Sequence, residues 1–325
     1  MDLALIFRSL SGILRRAAAA AAASVALGSA GAAPFAYVPN EGSASISVID
    51  TATDRVTATF PTGAKPRGVA VSADGRRLFV SEQAAGAVVA YDTSSGHETG
   101  RVAVGASPEA VYLSPDGRRL AVAVEEDDTV AIVDAASLAV VRRVRTHGKN
   151  PEHAVWSPDG RWLYASAEEA DAVDIIDAER GEIVASLTVG RRPRGIGFLP
   201  DGSRAYVAAE AAGVVAVIDT ARRAVIARIP AGLRSNGVTV SRDGRRVFVS
   251  SGGKGTVQSI DPATNGIVKE SAVGERPWNM ALTPDGRKLY VACGRSATVA
   301  VVDAATGEKR GEIAVGKLPW GVAIR

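Results

Sequence analysis

One position of a repeated motif changes its chemistry from copy to copy. The motif is Gly-x-x-Pro, starting at Gly63, Gly105, Gly148, Gly190, Gly274 and Gly316; a seventh copy starts at Gly232 and has Ser235 in place of proline. The residues that follow are Arg67, Glu109, Glu152, Arg194, Asn236, Trp278 and Trp320. Guanidinium groups pair with carboxylates through two parallel hydrogen bonds, and indoles offer flat apolar faces. Two cations, two anions, an amide and two indoles brought together would make a site for a small planar or carboxylate-bearing ligand. The same residues also permit a plainer outcome, in which arginines and glutamates neutralise one another and no ligand is needed. His153 follows Glu152 and has the chemistry of an axial metal or haem ligand or of a base; a polar, non-ligating histidine is the alternative. His147 flanks the same region, whereas His97 falls on a distant hairpin.

Acidic residues gather in neighbouring loops: Glu41, Glu82, Glu125, Glu126, Asp127, Asp128, Glu168, Glu169, Asp171 and Glu210. They suit a cation or a basic partner, or simply a solvated rim. Established catalytic motifs are missing. Gly252-Gly253-Lys254-Gly255-Thr256 lacks the spacing of a phosphate loop, and there is no Gly-x-Ser-x-Gly elbow or His-Glu-x-x-His helix. The single cysteine, Cys293, excludes an intramolecular disulfide and a two-cysteine haem attachment, and reads as a small buried hydrophobe. No catalytic set is therefore assigned.

The elements that must position these residues follow from a fixed period. Ile/Val-Asp or a close variant ends a strand at Asp50, Asp92, Asp134, Asp177, Asp219, Asp261 and Asp303, spaced by 42 or 43 residues. Asp-Gly turns keep the same period at Asp74, Asp116, Asp159, Asp201, Asp243 and Asp285. Between these markers lie short Val-rich runs bounded by Gly, Asp and Pro, which read as strands. Four such strands per period predict an all-β, seven-bladed β-propeller of four-stranded antiparallel blades. Six complete hairpins and seven strand ends predict that the last blade combines both chain ends. Three of its strands would be Phe35 to Asn40, Ser45 to Asp50 and Arg55 to Pro61, and the innermost would come from Trp320 to Arg325. The Gly-x-x-Pro connections then line one face, around the channel mouth. The Asp-Gly turns line the other, which reads as purely structural.

Tyr37-Val38-Pro39-Asn40, Ile49-Asp50-Thr51-Ala52-Thr53, Tyr206-Val207 and Tyr290-Val291 resemble the YVTN β-propeller repeat over residues 35–325. Pro66-Arg67-Gly68, Pro108-Glu109, Pro193-Arg194 and the ending Pro319-Trp320-Gly321 are similar to a subgroup associated with pyrroloquinoline quinone (PQQ)-dependent alcohol catabolism. That resemblance implies an exported, non-catalytic binding or accessory protein, with a periplasmic quinoprotein dehydrogenase or a transporter component as partner. Two other propeller functions stand as alternatives: haem binding as in the nitrite-reductase haem domain, and lactonase-like hydrolysis.

Residues 1–32 have the form of a signal peptide. Arg8, Arg15 and Arg16 precede an alanine-rich run that ends at the small residues Ala30-Gly31-Ala32. The expected mature domain is 33–325, in the periplasm and without stable membrane insertion. Removing the leader takes away three Arg and one Asp, which lowers the formal charge from +3 to about +1. The basic balance thus belongs largely to the leader and gives no support for nucleic-acid binding.

Overall fold

The computed structural model describes residues 34–325; the expected leader and cleavage site fall outside the described residues. Seven four-stranded antiparallel sheets form a seven-bladed β-propeller. We number the blades by the residues that build them. Blades 1 to 6 span 66–103, 108–145, 151–188, 193–230, 235–272 and 277–314. In blade 7 the sheet order is Ala323–Ile324, then Phe35–Asn40, Ser45–Asp50 and Arg55–Pro61. Its innermost strand is shorter than expected. Only Ala323 and Ile324 pair with Tyr37 and Ala36, while Pro319 makes an isolated bridge to Asn40. Among the described residues no helix is long and apolar enough to cross a membrane.

Burial explains the residue patterns. The two middle strands of each blade lie between neighbouring blades and are covered on both faces. Leu120 to Val124 and Val130 to Val133 are therefore continuously apolar and buried. Outer strands meet water on one face, and Glu182–Thr188 alternates accordingly. Each fully buried Val or Leu contributes roughly 1.5–3 kcal/mol, so blade-on-blade packing dominates stability.

The Asp-Gly turns are built alike. Asp74 Oδ1 accepts from Ser72 Oγ at 2.6 Å and from the Arg76 amide at 3.1 Å, and Gly75 takes φ +75°. The same Ser/Thr–Asp pair closes the turns at Asp116, Asp159, Asp243 and Asp285.

The innermost strands carry the feature that shapes the mouth. In blades 1 to 6 the register with the second strand shifts just after the first residue, between Pro66 and Val69, for example, and between Pro193 and Ile196. Two residues of the inner strand there oppose one residue of its partner, which bends the strand and re-aims its side chains. In blade 1 the opposed residue is Ser81. Its Oγ accepts from the Gly68 amide at 2.7 Å and donates to the Glu109 carbonyl of blade 2. Ser250 does the same in blade 5, accepting from Gly237 at 2.8 Å and donating to the Trp278 carbonyl at 2.7 Å. These two bulges are thus tied to the mouth residue of the next blade.

Candidate functional site

The residue before each inner strand holds a left-handed backbone: Lys65, Ser107, Asn150, Arg192, Arg234, Arg276 and Leu318 have φ between 53° and 62°. Such strain in non-glycine residues is retained where surrounding structure fixes it. It turns the chain from the rim into the channel. The following residues, Arg67, Glu152, Arg194, Asn236, Trp278 and Trp320, line one cavity of about 210 Å³ together with His153. Glu109 lies beside it, fully buried, with Arg67 as partner.

Two groups of lining residues were not among the expected site residues. Arg192 and Arg276 come from the strained pre-strand positions, and Glu41, Glu125 and Glu168 come from loops read as a rim. Other rim acids also turn inward. Glu82 accepts from the Gly63 amide and Tyr91 Oη, and Glu210 is buried between two arginines. His147 stays at the surface, 3.6 Å from Asp174, and does not line the cavity.

Electrostatics at the mouth is a contest between burial and pairing. Arg67 contacts Glu109 and, at 3.3 Å, Glu41. Arg194 contacts Glu152, lies 3.0 Å from Glu168 and 2.8 Å from Glu210, and Arg276 reaches Glu210 at 2.8 Å. Arg192 contacts Glu168 from the rim. Six carboxyls, Glu41, Glu109, Glu125, Glu152, Glu168 and Glu210, thus face four guanidiniums. Two of the carboxyls hold their protons more tightly than usual. Burial pushes Glu109 up to about 7, with Arg67 opposing and Glu125 reinforcing the rise. Burial also raises Glu152 well above the usual carboxylate range, against the pull of Arg194 and with the help of Glu109 and Glu168. Glu210 goes the other way, because Arg194 and Arg276 outweigh its burial. The self-neutralising alternative accounts for these charges, yet it leaves groups unused. Arg67 Nε, Arg276 Nη1 and Glu109 Oε2 are buried without a hydrogen-bond partner among the described residues.

The aromatic residues have separate tasks. Trp320 stacks on His153, with ring centroids 5.9 Å apart and planes at 19°. Trp278 lies over Gly294, where a Cβ would sit 2.5 Å from the indole. His153 occupies a repeat position filled elsewhere by Gly68, Ala110, Gly195, Gly237, Asn279 and Gly321, and this was the readable sign of its special role. Its Nδ1 is 2.7 Å from Tyr112 Oη. Tyr112 has no other side-chain partner among the described residues, so this contact fixes the orientation of both rings. Burial and the nearby Arg194 push His153 down to about 3, and the ring is neutral at physiological pH.

This geometry tests the groups that the resemblance implies. The cavity of about 210 Å³ is small beside the roughly 300–1,000 Å³ of sites for drug-sized molecules, and one face of His153 is covered by Trp320. Neither haem nor the quinone fits the mouth as formed. Glu125, Glu152 and Glu168 bring one oxygen each within 4.8 Å of one another, the spacing of a metal cluster. Arg194 already contacts two of them, so its guanidinium stands where a cation would bridge.

Comparisons with known proteins agree with this architecture. A YNCE-like beta-propeller family model matches residues 83–232, and a model of the seven-bladed lactonase beta-propeller matches residues 179–314. No curated protein matches significantly. Among solved structures, Kuenenia stuttgartiensis hydrazine synthase aligns at 23% identity and TM-score 0.76, covering 83% of this chain and 92% of that one. A putative 6-phosphogluconolactonase from Bacteroides uniformis aligns at 21% identity and TM-score 0.77, covering 90% and 99%. The dihydro-heme d1 dehydrogenase NirN aligns at 19% identity and TM-score 0.66, covering 89% and 74%. At these identities the likeness is one of fold. The chain is a seven-bladed β-propeller with segments that match the YNCE-like and lactonase-type propeller families.

Proposed function

We propose that the protein is an exported, non-catalytic propeller that binds a small oxygenated acid at the channel mouth and serves PQQ-dependent alcohol oxidation as an accessory. One observation carries the binding claim. The cavity is walled by Trp278 and Trp320, and the guanidiniums of Arg67, Arg192, Arg194 and Arg276 line it. A ligand carboxylate would accept charge-assisted hydrogen bonds from these guanidiniums. The cavity size favours an oxidised organic acid over the quinone itself. The pathway assignment rests on the Pro-Arg-Gly and Pro-Trp-Gly series of the inner strands, and a periplasmic quinoprotein dehydrogenase or transporter component is the partner it suggests. Mass spectrometry of ligands released from protein purified from the periplasm tests the reading. A short-chain organic acid in stoichiometric amount supports it; a tetrapyrrole, or no small molecule at all after gentle isolation, counts against it.

Lactonase-like hydrolysis is the second reading. The lactonase match spans Arg194, Glu210 and Arg276, which meet at the mouth. Turnover of a panel of sugar and aliphatic lactones, lost on Glu210→Gln, would replace the binding proposal with an enzymatic one.

A further inference from the structure

The hairpin face, expected to be structural only, carries a second cavity. It has a volume of about 550 Å³ and lies between blades 3 and 4. Its walls include Trp162, Tyr164, Ile175 and Phe198, and Arg223 stands at its edge.

Two departures from the repeat open this gap. The first is at the start of the second strand. In blades 1, 4 and 6 a cation there latches onto a backbone carbonyl of the next blade. Arg77 donates to Ala135 O at 2.6 Å, Arg204 to Pro262 O at 2.7 Å and Lys288 to Thr51 O at 2.8 Å. Blade 3 has Trp162 at this position and makes no such latch across to Thr220. The second departure is in the outer turn of the following blade. Tyr206 donates its hydroxyl to Asn265 Oδ1 at 3.3 Å, and Tyr290 donates to Asp54 Oδ1. The equivalent acceptor for Tyr164 is replaced by Arg223, so the Tyr164 hydroxyl has no side-chain partner among the described residues. Both groups that close the gap elsewhere are thus exchanged in the same place.

What replaces them is complementary to one kind of molecule. Arg161 and Arg223 lie over the Trp162 ring, at 4.6 and 4.7 Å from its centroid. Neither has a carboxylate within ion-pair distance among the described residues; nearby Asp219 is engaged by Arg222 at 3.5 Å. Asp159 and Asp201 at the rim are exposed and spend Oδ1 on their own hairpin turns. Trp162, Phe198 and Tyr164 supply apolar walls, with Tyr164 and Phe198 packed edge to face at 4.8 Å. The volume falls within the range of small-molecule sites.

We infer that the gap between blades 3 and 4 is a second binding site, for a small aromatic carboxylate whose ring packs against Trp162 and whose acid group meets Arg223 and the Tyr164 hydroxyl. The site is independent of the channel mouth and of what binds there.

The experiment is calorimetric titration with indole-3-acetate, with indole and tryptamine as neutral and cationic controls. Wild type should bind the acid saturably and at least tenfold more tightly than either control. Trp162→Arg with Arg223→Asn restores the repeat residues; it should keep the melting temperature and lose binding at least tenfold. Tyr164→Phe, a conservative change, should weaken binding severalfold and serves if the double variant does not fold. Trp320→Ala at the mouth should leave indole-3-acetate binding unchanged. The inference is overturned by absence of saturable binding to wild type, by equal binding of the controls, or by retained binding in the double variant.

Discussion

Glu109 shows most clearly how single residues set the behaviour of the mouth. Its carboxyl is fully buried, and burial pushes it up to about 7, although Arg67 holds part of its charge. An unfolded glutamate titrates near 4.3. Between those values the folded chain holds a proton that the unfolded chain has released. The stabilisation is therefore complete below about pH 4.3 and is lost as pH rises through about 7. Glu109→Gln should remove this dependence. The stability difference between variant and wild type should shift in favour of the variant by on the order of 3 kcal/mol from pH 4.5 to 8. Thermal melts of both proteins across that range check it, and parallel curves would contradict it. His153 works in the opposite sense. It is pushed down to about 3 by burial and Arg194, so its contribution grows as pH rises from about 3 to 6.5. Arg194 is the residue on which the pairing depends, because it faces Glu152, Glu168 and Glu210 at once. Arg194→Ala should destabilise by about 3–5 kcal/mol, read from denaturant midpoints, since it strands buried carboxyls.

At the scale of elements, the inner strand is a device for presenting side chains. Its bulge needs little room. A Cβ on Gly195 would lie 2.5 Å from Asn236 O of the next blade, and one on Gly68 would lie 2.4 Å from Glu109 O. Gly195→Ala should therefore push blades 4 and 5 apart, lowering stability by about 1–3 kcal/mol and displacing Asn236. A melting temperature equal to wild type would argue against this close approach. The same elements explain what the sequence disclosed. Strand positions were legible because Asp50, Asp92 and their equivalents end strands at a fixed period, and each Asp-Gly turn has its own chemistry. The mouth series from Arg67 to Trp320 was legible because it varies at a constant motif position. Partnerships were not. Whether Glu82 and Glu210 face water or the interior depends on the curvature of the loop, on Tyr91 in the adjacent strand and on Arg276 far along the chain. The cavity on the hairpin face was missed for another reason: Trp162 and Arg223 look ordinary until aligned with Arg204, Lys288, Asn265 and Asp54.

For the whole molecule, ring closure and location frame the function. Phe35–Asn40 pairs with the last strand, and Lys288 of blade 6 holds Thr51 and Asp54 across the same junction. Deleting residues 35–61 should expose two sheet edges and give an aggregating or unfolded chain by size-exclusion chromatography, whereas a monomer that melts cooperatively would refute closure through both chain ends. Export predicts a mature amino terminus near Ala33, readable by terminal sequencing of the periplasmic protein; an intact Met1 on soluble protein would contradict it. The central claim is that the mouth holds a small acid, and calorimetry of the mature protein tests it most directly. The titrants are short hydroxy acids, the matching alcohols and PQQ, with Arg276→Gln and Trp320→Ala as variants. Saturable binding of an acid in preference to its alcohol and to PQQ, weakened about 10–100-fold by Arg276→Gln, is the expected result. If no titrant binds and Arg276→Gln changes only the melting temperature, the arginines and glutamates serve the ring alone and the mouth is not a ligand site.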